Sequence, residues 1–169
     1  MAVFRAFKAL RPTKEKAAAV AALPYDVVNR EEAAAIGKEN PDSFLHVDRA
    51  EMDLPAEKDL YDVKVYQKAK ENLHKMEETG VLVQDHKPCY YIYELVRKGK
   101  VQTGIAGCAS IDDYLNNVVK KHELTRSDKE LDRINHVDVC DANTGPIYLA
   151  CRYTDALSAL LEQWKKEHK

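Results

Sequence analysis

The segment between Leu60 and Glu78 has the apolar spacing of an amphipathic helix. Its apolar side chains recur at intervals of three and four residues: Leu60, Val63, Tyr66, Ala69, Leu73 and Met76. A helix with 3.6 residues per turn brings such positions onto one face, and Gly80 is the kind of residue that commonly ends a helix. The spacing therefore predicts a helix over 60–78 with one buried face.

Two further segments have the composition of β-strands. Tyr90–Val96 and Val101–Ile111 are rich in β-branched and aromatic residues, and the "RKGK" between them contains the glycine that a tight turn favours. Together they predict a β-hairpin. The shorter apolar runs "SFLHV" and "IYLACR" predict two buried strands.

Capping and stop signals mark the other helices. The alanine-rich "TKEKAAAVAAL" at 13–23 precedes Pro24, which predicts a helix that ends there. Asn29 and Glu32 have capping-box spacing and predict a helix over Arg30–Lys38, and Thr154 is placed to cap a terminal amphipathic helix. Helices and strands do not alternate strictly, so the sequence predicts an α+β fold in a single domain, residues 1–169. We expect a mixed sheet with a central β-hairpin, packed by several helices.

Composition bounds the class of protein and its partners. The 169 residues are 45% apolar and 32% charged, with no run of about 18 apolar residues, which predicts a cytoplasmic protein without a membrane span. A net charge of −2 argues against non-specific binding to nucleic acid, which depends on broad positive charge. The four scattered cysteines fit neither a zinc motif nor a disulfide framework and are predicted to be reduced core residues: Cys89, Cys108, Cys140 and Cys151.

The stretch "KKHELTRSDKELDRINH", residues 120–136, concentrates ionisable side chains. Read as a helix, its cations follow intervals of four, three, four and three residues and form one stripe: His122, Arg126, Lys129, Arg133 and His136. Leu124, Leu131 and Ile134 lie on the opposite arc. The pattern predicts that the apolar arc docks on a core while the cationic stripe faces away from it.

The same stretch allows two interpretations. Glu123 and Glu130 are spaced to pair with the arginines, which favours a solvated helix with many salt bridges. The alternative is a site for an anion. A metal shared by His122 and His136 is excluded if the stretch is helical, because 14 residues would separate them by ~21 Å, and no residue is predicted to bind a metal.

Other candidate residues lie in loops. Asp26 in "PYDVVN" follows an aromatic residue and has the chemistry of a general base, although a simple turn former is the commoner role. The "DANTGP" loop could present N–H groups to an anion, or be a plain turn. The exit of the predicted "SFLHV" strand groups polar residues that form either a site or a solvated loop: His46, Asp48, Arg49, Glu51 and Asp53. Widespread catalytic motifs such as the Walker, Rossmann and zincin patterns are absent.

Several long motifs carry a resemblance to one family. In chain order they are "RPTKEKAAAVAALPYDVVNREEA", "NPDSFLHVDRAEMDLP", "VYQKAKENL", "QTGIAGCASIDDY", "KKHELTRSDKELDRINHV" and "ANTGPIYLACR". They resemble the uncharacterised bacterial and archaeal proteins grouped as domain-of-unknown-function family 1015. The likeness extends from Phe4 to Arg152. Members of that family are typically longer, and their second half carries a "DGHHR"-like segment similar to the nucleotide-binding motif of the partition-protein and sulfiredoxin superfamily.

The resemblance implies a function and a set of site residues. It implies phosphate or nucleotide binding, with phosphotransfer to a small serine-like metabolite and ATP or ADP with Mg as cofactor. On this basis Asp26 and Glu123 are candidate bases, and the candidate ligands of phosphate or substrate are Lys121, His122, Arg126, Lys129, Arg133, His136 and Arg49. The chain lacks the "DGHHR"-like segment, so the expected partners include a C-terminal half or a second copy, besides the small anionic metabolite. The alternative function is a non-catalytic regulatory or interaction module.

Overall fold

A computed structural model describes residues 2–55, 59–122 and 125–168. The helices are α1 Ala17–Val20, α2 Arg30–Glu39, α3 Leu45–Asp48, α4 Val63–Glu78, α5 Ile111–Leu115, α6 Ser127–Cys140 and α7 Asp155–Glu167. The strands are β1 Phe4–Arg5, β2 Leu10–Pro12, β3 Leu82–Gln84, β4 Tyr91–Arg97, β5 Lys100–Ala106 and β6 Cys108–Ala109. Two 3₁₀ turns cover Tyr25–Val27 and Ala50–Asp53. The α+β class is therefore confirmed.

The strands of the described residues pair in antiparallel twos. The pairs are β1 with β6, β2 with β3, and β4 with β5, where the sequence predicted one mixed sheet around the hairpin. The hairpin itself is confirmed, and its turn residues Lys98 and Gly99 have φ of 50° and 74°. Such values suit a two-residue hairpin turn. The other strands have three residues or fewer, which is too short to extend the hairpin into a larger sheet.

The long helix α4 forms one wall of the core. It starts at Val63, where the Asp62 side chain accepts a hydrogen bond from the Lys64 N–H, and Gly80 follows it with φ of 71°. Its buried residues are Val65, Tyr66, Ala69, Leu73 and Met76. They pack with residues from α1, α3, the 3₁₀ turn after α3, β3 and the end of α6: Val20, Val47, Ala50, Val81, Leu82 and Cys140. The predicted helix is confirmed, except that 60–62 precede it.

Local capping signals give the correct helix boundaries. In α2 the Asn29 side chain accepts from the Glu32 N–H at 2.9 Å, and the Glu32 carboxylate accepts from the Asn29 N–H at 2.8 Å. This reciprocal pair is the predicted capping box. At α7 the Thr154 hydroxyl accepts from the Leu157 N–H at 3.3 Å. Both predictions are confirmed because each depends on residues only three apart in sequence.

Two short predicted strands are wrong, and one predicted helix is shorter than expected. "SFLHV" contains the start of helix α3, with Leu45 and Val47 buried, because a short apolar run has no periodicity that separates helix from strand. "IYLACR" has no strand partner, and Ile147 is 81% exposed. The alanine-rich segment is helical only over Ala17–Val20, since a short helix depends on packing and only Val20 of its residues is buried.

The cysteine prediction holds for one of four residues. Cys140 is buried at the end of α6, whereas Cys89, Cys108 and Cys151 are exposed, and all four are free thiols. Burial raises the pKa of the Cys140 thiol, which keeps it protonated at neutral pH. The helices of the described ranges include none with the length and apolar character needed to cross a membrane.

Candidate functional site

The face of helix α6 that packs against the core is the opposite of the one that the sequence predicts. The helix begins only at Ser127, and its inward residues are polar: Asp132 and Arg133 are partly buried and His136 is 3% exposed. Leu131 and Ile134, predicted to dock on the core, are 59% and 57% exposed. Arg133 and His136 therefore point into the protein and not away from it, whereas Lys129 is exposed.

Contacts with α4 explain this orientation. The Tyr66 hydroxyl, on the buried face of α4, donates a hydrogen bond to Asp132 Oδ1 at 3.0 Å. The rings of Tyr66 and His136 meet edge to face with centroids 6.4 Å apart. A buried aromatic residue with a polar tip requires a polar partner, and Asp132 supplies it. The inward side of α6 is thus selected by a hydrogen bond as well as by apolar packing.

The inward residues of α6 line a small cavity, which we call the α6 cleft. Its volume is about 50 Å³. Helix α6 contributes Lys129, Asp132, Arg133 and His136. The segment that includes the end of α3 and the following 3₁₀ turn contributes Asp48, Arg49 and Glu51, and the aromatic side chains are Tyr25, Tyr61 and Tyr66. The cleft therefore brings together residues from four segments of the chain.

Three residues that line the α6 cleft each have one buried polar atom without a hydrogen-bond partner. These atoms are Arg49 Nε, Glu51 Oε1 and His136 Nε2, and no other buried side-chain nitrogen or oxygen of the described residues is in this condition. Glu51 Oε1 lies 2.9 Å from Arg49 Nη2, close enough for an ion pair but without the alignment of a hydrogen bond. Buried polar atoms are nearly always satisfied by protein, ordered water or ligand. Three such atoms on residues around one cavity indicate a candidate site for a polar group in the α6 cleft.

The charges of the α6 cleft are balanced. Arg133 pairs with Asp132 at 2.9 Å, and Arg49 pairs with Glu51. Lys129 Nζ donates to the Tyr61 hydroxyl at 3.0 Å, and this hydrogen bond raises the pKa of Lys129. Because each arginine has an adjacent carboxylate, the cleft can remain folded without a bound counter-ion.

Burial shifts the pKa values of His136 and Asp48, which both line the α6 cleft. Desolvation and, to a smaller extent, the nearby Arg133 charge lower the pKa of His136 to about 4 against the opposing effect of Asp132, so the imidazole is neutral at pH 7. Desolvation raises the pKa of Asp48 despite the opposing effects of a Thr144 hydrogen bond and of Arg133. A neutral imidazole can either donate or accept at Nε2, depending on its tautomer.

A second, open hollow of about 570 Å³ adjoins the α6 cleft. Tyr25, Lys129 and Arg133 line both spaces. The Arg133 guanidinium carbon lies 4.6 Å from the centre of the Tyr25 ring, which is a cation–π contact. Ile134 and Val137 give the hollow an apolar side. The small cleft is therefore lined largely by polar residues, and the larger hollow beside it has an apolar side.

The structure brings four of the predicted site residues together and separates the others. Arg49, Lys129, Arg133 and His136 line the α6 cleft. The other four described candidates line neither space. Arg126 is 77% exposed and pairs with Asp128 at 2.8 Å, the Lys121 ammonium lies 4.7 Å from the Tyr114 ring centre, and His122 and Asp26 are exposed. Glu123, and with it Leu124 of the predicted apolar arc, lies outside the described residues.

The separation follows from the helix boundary. The predicted stripe assumed one helix from 120 to 136, but 120–122 and 125–126 are not helical, so the cations before Ser127 do not continue the stripe. Sequence reasoning also missed Tyr25, Tyr61 and Asp132, which become part of the cleft only through tertiary contacts. Asp48 and Glu51 belonged to a polar group that the sequence did single out. No cluster of three His, Cys, Asp or Glu side chains in the described ranges is arranged to hold a metal ion.

One protein family covers almost the whole chain. The model of a family described as "Protein of unknown function (DUF1015)" matches residues 4–169. The chain belongs to this family. No curated protein and no solved structure matches the chain, so the family places α6 and its cleft inside the matched region without assigning them a role.

Proposed function

We propose that the α6 cleft binds the anionic group of a small metabolite or nucleotide, with phosphate as the best candidate. The observation that carries the proposal is that three residues around one cavity each have a buried polar atom without a hydrogen-bond partner: Arg49 Nε, Glu51 Oε1 and His136 Nε2. A phosphate oxygen accepts from an arginine N–H and from an imidazole N–H, and a protonated phosphate oxygen donates to a carboxylate.

The dimensions of the two spaces suit a ligand with a small charged head. A cavity of about 50 Å³ is several times the space that one water needs, which is the scale of a single anionic group. The open hollow of about 570 Å³ lies in the usual range for small-molecule sites. On this proposal the head enters the α6 cleft, and the rest of the molecule lies in the hollow beside Ile134 and Val137.

The two charged side chains that line both spaces are cations, whereas the carboxylates Glu130 and Asp138 line only the hollow. Lys129 and Arg133 line both spaces, so an entering anion passes two cations before it reaches Arg49. Charge-assisted hydrogen bonds to phosphate are stronger than neutral ones. Arg133 need not give up Asp132 to bind, because its guanidinium has five N–H donors.

Phosphotransfer is the catalytic extension of this proposal. It requires a base near the bound phosphate, and Asp26 lies outside both spaces. Asp48 is better placed, because it lines the α6 cleft and burial raises its pKa. A chain that binds nucleotide but transfers no phosphate would instead be a binding module, and a turnover assay with ATP and phosphate acceptors separates the two.

A thermal-shift and calorimetric series tests the binding proposal. The full chain is titrated with inorganic phosphate, phosphoserine, ADP, ATP and CTP, and we expect at least one to stabilise it. Arg133→Ala should abolish that stabilisation. Arg126→Ala is the matched control, because Arg126 precedes the same helix but is exposed outside both spaces, and it should bind like the wild type. No response to any of the five compounds, or equal losses in both variants, contradicts the proposal.

A further inference from the structure

The outer edge of strand β5 carries unpaired backbone groups. In the β4–β5 hairpin Arg97 faces Lys100 across a two-residue turn, which makes them a hydrogen-bonded pair. Pairs then alternate along the ladder, so that the N–H and C=O groups of Val101, Thr103 and Ile105 point away from β4. Within the described residues, no backbone or side-chain hydrogen bond reaches these outward groups.

The hairpin is too small to be stable by strand pairing alone. A two-stranded hairpin in water is marginal, and three or more strands are normally needed. Helix α7 reaches the hairpin through Lys165, whose ammonium lies 2.9 Å from Glu94 Oε1. Nevertheless Val96 and Val101, which face each other across the ladder, are 70% and 59% exposed. An additional strand on the β5 edge would stabilise the hairpin.

The sequence of β5 is complementary to itself. An antiparallel pair of β5 strands related by a twofold axis at Thr103 places Val101 opposite Ile105 of the second copy and Thr103 opposite Thr103. All three outward residues then exchange backbone hydrogen bonds. Pairs of β-branched residues and of threonines are favourable across strands. No like charges meet in this register, since 101–106 contain no ionisable residue.

The chain exposes more surface than a folded monomer of its mass normally does. Its accessible surface is 13081 Å², whereas a folded monomer of 19.2 kDa exposes roughly 8,400 Å². One subunit of an obligate homodimer buries roughly 1,000–2,500 Å², so burial against a second copy would account for part of the difference of roughly 4,600 Å². Symmetric dimers are the commonest oligomers of soluble proteins, and a self-complementary edge is what such symmetry requires.

We infer that the chain forms a twofold dimer in which β5 pairs antiparallel with β5 of a second copy. The two hairpins then form one four-stranded sheet with the order β4, β5, β5, β4. This interface is independent of the α6 cleft, and its partner is a second copy of this chain and not a different protein.

Two proline variants test the edge. Thr103→Pro removes an N–H that points outward from β5, and Val96→Pro removes an N–H that points outward from β4. Proline is tolerated at such edge positions, so both variants should keep the far-ultraviolet circular dichroism of the wild type. By sedimentation velocity the wild type should be a dimer at micromolar concentration. Thr103→Pro should weaken the dimer at least about tenfold, through the loss of two symmetric hydrogen bonds, and Val96→Pro should not.

Cross-linking gives a second readout that does not depend on destabilisation. On a background with Cys89, Cys108 and Cys151 changed to serine, Thr103→Cys should cross-link between chains with a short bismaleimide. Val96→Cys should not, because the outer strands of the four-stranded sheet are about 14 Å apart. A monomeric wild type overturns the inference. So does a dimer that is insensitive to Thr103→Pro, or one that cross-links through Val96→Cys and not through Thr103→Cys.

Discussion

Arg133 and Tyr25 join helix α6 to the 3₁₀ turn at Tyr25–Val27 across the mouth of the α6 cleft. The guanidinium carbon lies 4.6 Å from the ring centre, and the same guanidinium contacts Asp132 Oδ2 at 2.9 Å. A cation held by an aromatic face on one side and a carboxylate on the other has little freedom to turn. The pair therefore fixes a positive charge where the α6 cleft meets the open hollow.

Removing the aromatic face should weaken ligand binding. We expect Tyr25→Leu to lower the affinity for a phosphate compound that binds the wild type by about two- to fivefold, the usual range for an exposed cation–π contact. Tyr25→Phe keeps the ring and should bind like the wild type. Isothermal titration calorimetry measures both. Equal losses in the two variants would assign the effect to the Tyr25 hydroxyl and contradict the stacking role.

Burial of His136 should make the protein acid-sensitive. Its pKa in the folded protein is about 4, below the value of about 6.5 in an unfolded chain. Between these values the unfolded chain binds a proton that the folded protein does not, so the free energy of unfolding falls as pH decreases from about 6.5 to 4. The full effect is about 3 kcal/mol.

Urea denaturation at several pH values measures this effect. His136→Gln should reduce the fall in stability between pH 6.5 and 4.5, whatever its own stability at neutral pH. His74→Gln is the matched control, because His74 is exposed on α4, and it should keep the wild-type slope. An unchanged slope in His136→Gln would mean that the imidazole is protonated in the folded protein.

A second histidine, His46, should stabilise the folded protein at low pH and lose this effect as the pH rises. The Asp53 carboxylate lies 2.9 Å from His46 Nδ1, and this hydrogen bond raises the pKa of His46 despite the opposing effect of burial. Burial raises the pKa of Asp53, but hydrogen bonds from His46 and Asn72 outweigh it and lower that pKa. The histidine's contribution to stability is therefore complete below about pH 6.5 and is lost as pH rises through its raised pKa.

Asp53→Asn should remove the pH dependence of stability that His46 causes. We expect the variant to be less stable than the wild type at pH 6 by about 1–3 kcal/mol, with a smaller difference at pH 8, both measured by urea denaturation. Asp128→Asn breaks the exposed pair with Arg126 and serves as the control. Its difference in stability from the wild type should not become smaller between pH 6 and pH 8. A difference that is the same at both pH values would show that His46 is neutral in the folded protein.

The reversed orientation of α6 predicts that its leucine, Leu131, contributes little to stability. Leu131 is 59% exposed, and Leu73 on α4 is 4% exposed. Leu131→Ala should change the free energy of unfolding of the monomer by less than about 0.5 kcal/mol, whereas Leu73→Ala should cost about 2–5 kcal/mol. Thermal denaturation of both variants checks this. A large cost for Leu131→Ala would restore the orientation that the sequence predicts.

Sequence signals gave the right structure where their cause is local. The capping box of α2, the spacing in α4 and the turn of the β4–β5 hairpin each depend on residues a few positions apart, and all three were confirmed. "SFLHV" and "IYLACR" failed because a short apolar run becomes helix, strand or extended chain according to the partner it finds. Arg49, Lys129, Arg133 and His136 were named from sequence, but the aromatic residues beside them were not.

The sequence by itself determined the α+β class, the boundaries of the capped helices and the presence of cations along 126–136. Only the tertiary structure decided that Arg133 and His136 face inward, because the choice depends on the hydrogen bond between Tyr66 and Asp132, which are 66 residues apart. Helical spacing defines two faces of α6 but not which one is buried. That depends on whether the neighbouring helix offers an apolar surface alone or, as α4 does, a tyrosine hydroxyl that needs a carboxylate.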